Sequence, residues 1–220
     1  MGRPRNYKLK ERIAKAACAL FREQGYDDTS YADIAQACGI RKNLVQYHYP
    51  RKELFAIAFM ERVLAEAQAA LGYSNEDLRD DFGAIYRVGV CYFEYLLREG
   101  GYRTFLQDVI RNRDLTERIL AFNIQWALER SNVDASHGDP EGDMVRSVVA
   151  SMGGFYELLY YCLKNGYAFD VVAGLSVVMR TFVSSLGVSD AKTLQAVAPE
   201  SIDAQATDRA VQSMAKALDA

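Results

Sequence analysis

Apolar residues recur at helical spacing along nearly the whole chain, and no run alternates as a strand would. Ile13, Ala17, Leu20 and Phe21 share one face and predict a first helix over residues 8–24, with Gly25 as its stop. Thr29 and Ser30 then offer a cap. Asp33 follows Ser30 at capping-box spacing, so a second, short helix starts there with Ile34, Ala35 and Cys38 turned inward. Gly39 breaks the pattern, and Ile40 leads into a third helix over 41–47. Pro50 closes that helix, because the residue before a proline is pushed out of the helical region. A fourth helix runs from Arg51 through Phe55, Phe59 and Val63 toward Leu71. Longer helices are expected over 80–98, 102–112, 115–130, 142–165, 169–186 and 200–218, with a loop over 132–143. The expectation is an all-α protein of nine or ten helices. It divides into a small N-terminal domain, 1–55, and a larger helical domain, 56–220.

The net charge of −3 says little until it is divided along the 220 residues. Residues 1–55 hold eleven Lys and Arg against six Asp and Glu, a net of +5, which leaves −8 for the remainder. A basic head on an acidic body suggests a polyanionic partner for the head alone. Cys18, Cys38, Cys91 and Cys162 are far apart in apolar helical patterns, without C-x-x-C and with only two histidines, so they read as buried reduced thiols. No metal or other cofactor is expected. The N-terminus lacks an apolar core after its charges and is no signal peptide, and the apolar stretch 171–188 contains Arg180. A soluble cytoplasmic protein without a membrane partner is expected.

The most pointed stretch is ADIAQACGIRKNLVQYHYPRKEL, residues 32–54. Two short helices joined at a glycine form a helix-turn-helix, whose second helix fits a B-DNA major groove about 12 Å wide. Ile40 and Val45 anchor that helix inward, while Arg41, Lys42, Asn43, Gln46 and Tyr47 are suited to face outward. Arg and Lys donate to guanine acceptors, and Asn and Gln pair with adenine. The order ALFREQGYDDTS, ADIAQACGI, RKNLVQYHYPRKEL resembles the tetracycline-repressor (TetR) family of bacterial transcription regulators over roughly residues 8–60. The resemblance implies an all-helical homodimer with a three-helix DNA-binding domain and a larger regulatory and dimerisation domain. It further implies that Lys42, Leu44, Gln46 and Tyr47 face a double-stranded DNA operator, that Tyr47 and His48 approach phosphates, and that Lys52 contacts the backbone. Ser30 joins this DNA-facing set. For Tyr47 packing is the competing role, for His48 a helix-end hydrogen bond, and Tyr49 reads as a core plug. Asn43, Leu44, Gln46 and Ala32 depart from the residues common in the family, so no relative's operator transfers. The cationic string GRPR at 2–5 can act as a minor-groove arm or be a plain tail.

Residues 80–186 are rich in aromatics. Phe82, Ile85, Gly89, Phe93 and Leu96 follow helical spacing and read as core. Tyrosines are better pocket candidates, because a buried hydroxyl needs a partner and small-molecule sites are apolar with a few polar handles. Tyr86, Tyr95, Trp126, Tyr156 and Tyr160 are the expected walls of an effector site, with Arg87, Gln107, Asn123 or Gln125 as polar contacts. By the family resemblance, segments 142–165 and 169–186 supply the dimer interface, with Val145, Val148, Val149, Met152, Leu159, Val172, Leu175, Val178, Met179 and Val183 as apolar candidates and Gly153-Gly154 permitting close approach. No Ser-His-Asp set, phosphate-cradling glycine loop or metal-ligand cluster is seen, and His137 stands alone, so no catalytic residue is assigned. The expected function is a repressor released from a palindromic operator by a small, largely apolar or aromatic ligand. A DNA-binding regulator controlled by a protein partner, without a small-molecule site, is the alternative.

Overall fold

The computed structural model describes residues 7–79, 81–98, 100–130 and 140–219. The cationic arm at 2–5, Asp80, and most of the predicted 132–143 loop, including His137, lie outside them. The described residues are helical, without a strand. The head comprises α1 (Tyr7–Gln24), α2 (Tyr31–Ala37) and α3 (Lys42–His48), and α4 (Glu53–Ala70) runs from it into the body. The body adds α5 (Phe82–Leu97), α6 (Arg103–Arg111), α7 (Arg113–Leu128), α8 (Pro140–Lys164), α9 (Val171–Ser185), α10 (Ala191–Ala196), a 3-10 turn (Pro199–Ser201) and α11 (Ala204–Asp219).

Local chemistry sets most helix starts. Ser30 Oγ accepts from the amides of Ala32 and Asp33, while Asp33 accepts from the Ser30 amide, a complete capping box. Asp81, Asn112, Asp170 and Asp190 each accept from an amide in the first turn of α5, α7, α9 and α10. The C-terminal stretch differs from expectation, since one helix was expected over 200–218 and α10 precedes it. The reason is physical: α10 has six residues and buries none of them, so it carries no apolar stripe to read.

In the body, α5 packs against α4, α9 and α11, and α8 packs against both α7 and α9. α5 is buried around much of its circumference, from Ala84 and Tyr86 to Tyr95 and Leu96. One hydrophobic cluster runs unbroken from Ile13 in the head to Met214 in α11, with α4 contributing Phe55, Phe59 and Val63. The expected interface residues separate here. Val148, Leu159, Leu175, Val178, Met179 and Val183 belong to this core, Met152 and Val172 are half-buried, and Val145 and Val149 are exposed. Of the cysteines only Cys91 is buried, and the other three are half-buried; all four are free thiols.

Candidate nucleic-acid interface and internal cavity

Three contacts hold α3 in place and leave its outer face free. After α2, Gly39 takes φ +60°, its amide donates to Gln36 O at 3.0 Å and the Ile40 amide donates to Ala35 O at 3.0 Å. This paired closure ends α2 and turns the chain sharply into α3, with Ile40 packed on the core. Val45 is fully buried and is the inward anchor. At the far end Tyr49 stacks on Phe55 with ring centroids 4.0 Å apart, and Tyr31 Oη donates to Tyr49 O at 2.8 Å. Tyr49 is thus a core residue, as its reading as a plug requires.

The opposite face of α3 presents Arg41, Lys42, Asn43, Leu44, Gln46 and Tyr47 to solvent, Tyr47 at 77% exposure. Residues 42 and 46, and 43 and 47, are four apart and lie on adjacent turns of one side. Among the described residues the side chains of Arg41, Lys42, Asn43 and Gln46 are engaged in no hydrogen bond or ion pair. Residues 39–52 contain four basic side chains and no acidic one. His48 is half-buried with its ring edge-on to Tyr47, and the Ser30 hydroxyl is occupied as the α2 cap.

Lys52 departs from the expectation. Its ammonium donates to Tyr26 O at 2.7 Å, Thr29 O at 2.9 Å and Asp27 O at 3.3 Å, and it lies 4.2 Å from the centroid of the Tyr26 ring. All three donors of an ammonium are thereby turned inward on the α1–α2 turn. Burial lowers its pKa from the ordinary lysine value, while Asp27 and Asp108 push the other way. Lys52 is a latch between α4 and that turn, and a phosphate is not its partner here. The family resemblance implies a DNA-backbone contact for Lys52, and the contacts turn its ammonium to the carbonyls of the α1–α2 turn instead.

The same turn joins head to body. Gly25 sits at φ +86° against α6, where an added Cβ would meet Asp108 Oδ2 at 2.6 Å and Thr104 Cγ2 at 2.8 Å. Asp108 accepts from the Asp27 amide at 3.1 Å, and Arg111 pairs with both Asp27 and Asp108. Tyr95 belongs to this joint as well, since its hydroxyl accepts from Arg22 at 3.2 Å.

Inside the body, helices α4, α5, α7, α8 and α9 line a cavity of about 140 Å³ that opens beside Trp126 and Arg130. Of the five expected wall residues, Tyr86, Trp126 and Tyr156 line it. Tyr95 and Tyr160 do not line it. Tyr95 is nine residues from Tyr86, which at about 100° per residue puts it on the other side of α5. Tyr160 lies one turn beyond Tyr156, past the end of the space, with Lys164 5.8 Å from its ring. Asn123 is the one expected polar contact that reaches the cavity; Arg87 instead donates to Tyr73 and Gln125 to Glu129, and Gln107 stands outside the lining. Phe82, Ile85, Gly89 and Phe93, read as core, line the cavity together with Tyr92, Met144, Met152 and Met179. Their stripe is correctly inward, but periodicity cannot distinguish a filled interior from one with space left in it.

Two of the three tyrosines that line the cavity have hydroxyl partners. Tyr86 Oη donates to Val172 O at 2.7 Å, and Tyr156 Oη accepts from Asn123 Nδ2 at 2.9 Å. Burial pushes the pKa of each up to about 12, so both stay neutral. Trp126 and Arg130 form the cavity's outer wall, the guanidinium 4.3 Å from the indole centroid. Both also line an adjoining surface groove with Glu61, Gln68 and Asn75. No group of three or more His, Cys, Asp or Glu is gathered as a metal site among the described residues, and no helix there is long and apolar enough to cross a membrane.

Residues 13–58 match the family described as bacterial regulatory proteins, tetR family. The chain is similar to the biofilm operon icaADBC HTH-type negative transcriptional regulator IcaR of Staphylococcus epidermidis, 42% identical over 45 residues, which are 20% of this chain and 24% of that protein. It is also similar to the uncharacterized HTH-type transcriptional regulator YerO of Bacillus subtilis, 32% identical over 69 residues, 31% of this chain and 24% of that protein. The matched stretches thus span about a quarter of either relative. A crystal structure of a TetR transcriptional regulator from Rhodococcus sp. RHA1 shares the fold at TM-score 0.51 and 15% identity, over 83% of this chain and 97% of that one.

Proposed function

The N-terminal segment of this chain belongs to the TetR family of bacterial regulatory proteins, and from that premise we propose that the protein is a sequence-specific DNA-binding regulator of transcription in the cytoplasm. The observation that carries this reading is the outer face of α3, polar and basic, exposed, and unengaged among the described residues, on a helix anchored from behind by Val45. Lys42, Asn43 and Gln46 read base edges, Leu44 meets a thymine methyl, and Arg41, Tyr47, His48 and Ser30 approach phosphates. Lys52 is left out of this set.

A homodimer presents two such helices to half-sites about 34–36 Å apart. Its interface is the outer face of α8 and α9, where Val145, Val149, Leu158, Tyr161 and Val177 are exposed. Nothing lies within 4 Å of where side chains on Gly153 and Gly154 would begin, so a second backbone has room to come close. An isologous pairing satisfies both copies at once. The regulation is repression, in line with the relative named a negative regulator, and it is relieved by a small, largely apolar or aromatic ligand in the body cavity. The ligand shifts the population of head spacings by its preference between them, a coupling of about 1–3 kcal/mol in typical cases. Control by a protein partner is the second reading, and the apolar cavity favours the small molecule.

Selection of bound fragments from random duplex DNA with the purified chain tests the reading. A palindrome with half-sites one helical turn apart is the expected product. Recovery of no common sequence at low salt rejects sequence-specific binding.

A further inference from the structure

The cavity is small, and several of its hydroxyls are engaged from within: Tyr86 donates to Val172 O, Tyr156 accepts from Asn123, and Ser151 donates to Ser147 O at 2.6 Å. Tyr156 keeps its own O–H, and Tyr92 lines the same space. The cationic group of the lining stands at the outer wall. Arg130 has a side chain 10% exposed, lines both the cavity and the adjoining groove, and has a buried Nε without a hydrogen-bond partner among the described residues. The rest of its guanidinium is positioned: one Nη donates to Trp126 O at 3.1 Å, the other to Asn75 Oδ1 at 2.7 Å, and the plane lies over the Trp126 ring. Glu129, 3.5 Å away, already balances the charge, but the buried Nε donor is left unpaired at a cost, and a charge-assisted hydrogen bond to an anion removes that cost.

Resting on the effector reading above, we infer that the ligand is a small monocarboxylate, its apolar body in the cavity and its carboxylate on Arg130 Nε at the mouth between α4 and α7. Size limits the body, because an engineered apolar cavity of about 150 Å³ in another protein accommodates benzene. One ring or a short branched chain fills about 140 Å³. Charge limits the head to one negative unit: Glu129 stands 3.5 Å from Arg130, and Glu61 lines the groove, so a dianion such as a phosphate monoester meets two carboxylates where it must sit. The Trp126–Arg130 stack thus closes the apolar chamber on one side and reads charge on the other.

Trp126 is the only tryptophan of the chain and reports on this wall directly. Its fluorescence is followed while the full chain is titrated with benzoate, benzamide, benzyl alcohol and benzylamine, with Arg130→Gln and Arg130→Lys in parallel. Benzoate is expected to bind about tenfold tighter than benzamide in the wild type. Arg130→Gln should erase that ratio and leave benzyl alcohol affinity within about twofold, while Arg130→Lys keeps part of it. If Arg130→Gln fails to fold, the wild-type ratio and its decline with salt decide the matter alone. Equal binding of benzoate and benzamide, or tighter binding of benzylamine, overturns the carboxylate assignment and leaves an apolar effector site standing. No response to any of the four probes overturns the assignment and the effector reading together.

Discussion

The outer face of α3 and the wall of the body cavity hold polar groups in opposite ways. On α3 the backbone is fixed from behind by Val45, Ile40 and the Gly39 closure, and the side chains that face out carry no internal partners. In the cavity the Tyr86 and Tyr156 hydroxyls are tied to Val172 O and Asn123, and Arg130 keeps a buried Nε without a partner among the described residues. Side chains that must meet a hydrated, charged partner do not need desolvation in the free protein. A small ligand has to be recognised where water is excluded, so each polar group there needs a partner in advance or is held at a cost. Between the two regions lies the α1–α2 turn, with Lys52 above it and Asp108 beneath.

The sharpest way to break this arrangement is at that turn. Gly25→Ala puts a side chain at φ +86° and against Asp108, so it should destabilise the fold by about 2–3 kcal/mol and lower Tm by about 5–10 °C in a thermal scan. An unchanged Tm would mean that α6 yields easily and is no rigid coupling. Next, Lys52→Met removes the donor from three carbonyls and should cost about 1.5–3 kcal/mol of unfolding free energy by denaturant titration. The slope of log affinity against log salt for DNA should stay the same for this variant. A shallower slope would return Lys52 to the phosphate contacts. Lys42→Ala sharpens the contrast: stability should hold within about 0.5 kcal/mol, while that slope falls by about 0.9. Gln46→Ala should likewise leave stability alone and relax base preference at one operator position by about 1 kcal/mol or more, read from binding to a panel of single-base variants. The smallest effect has the opposite sign. Gly89→Ala adds a methyl at ordinary contact with Leu175, 3.5 Å, in a helix interior and should stabilise by roughly 0.5–1 kcal/mol while narrowing the cavity.

Much of the head is legible in the sequence because its signals are local. The Ser30–Asp33 box, Gly39 and Pro50 act through neighbours within a few residues, and the exposed and buried sides of α3 follow from Val45 and the polar residues around it. Lys52 shows where that legibility stops: its partners are more than twenty residues away, and a cation at a helix start looks the same on a string whether it faces a phosphate or three carbonyls. In the body, the helical period separates Tyr86 from Tyr95, and the distinction was available from their spacing of nine. Tyr160, by contrast, shares a side of α8 with Tyr156, and only the end of the cavity along that helix separates them.

What the chain alone determined is its helices, their caps and the turn that throws α3 outward, since those depend on hydrogen bonds closed within a turn or two. The packed molecule decided the rest. Whether Val148 or Val149 faces solvent, whether an apolar stripe is filled or leaves about 140 Å³ empty, and whether Arg130 ends with every donor used are outcomes of how five helices meet. Packing is a sum over distant neighbours, and no residue carries that sum in its own identity.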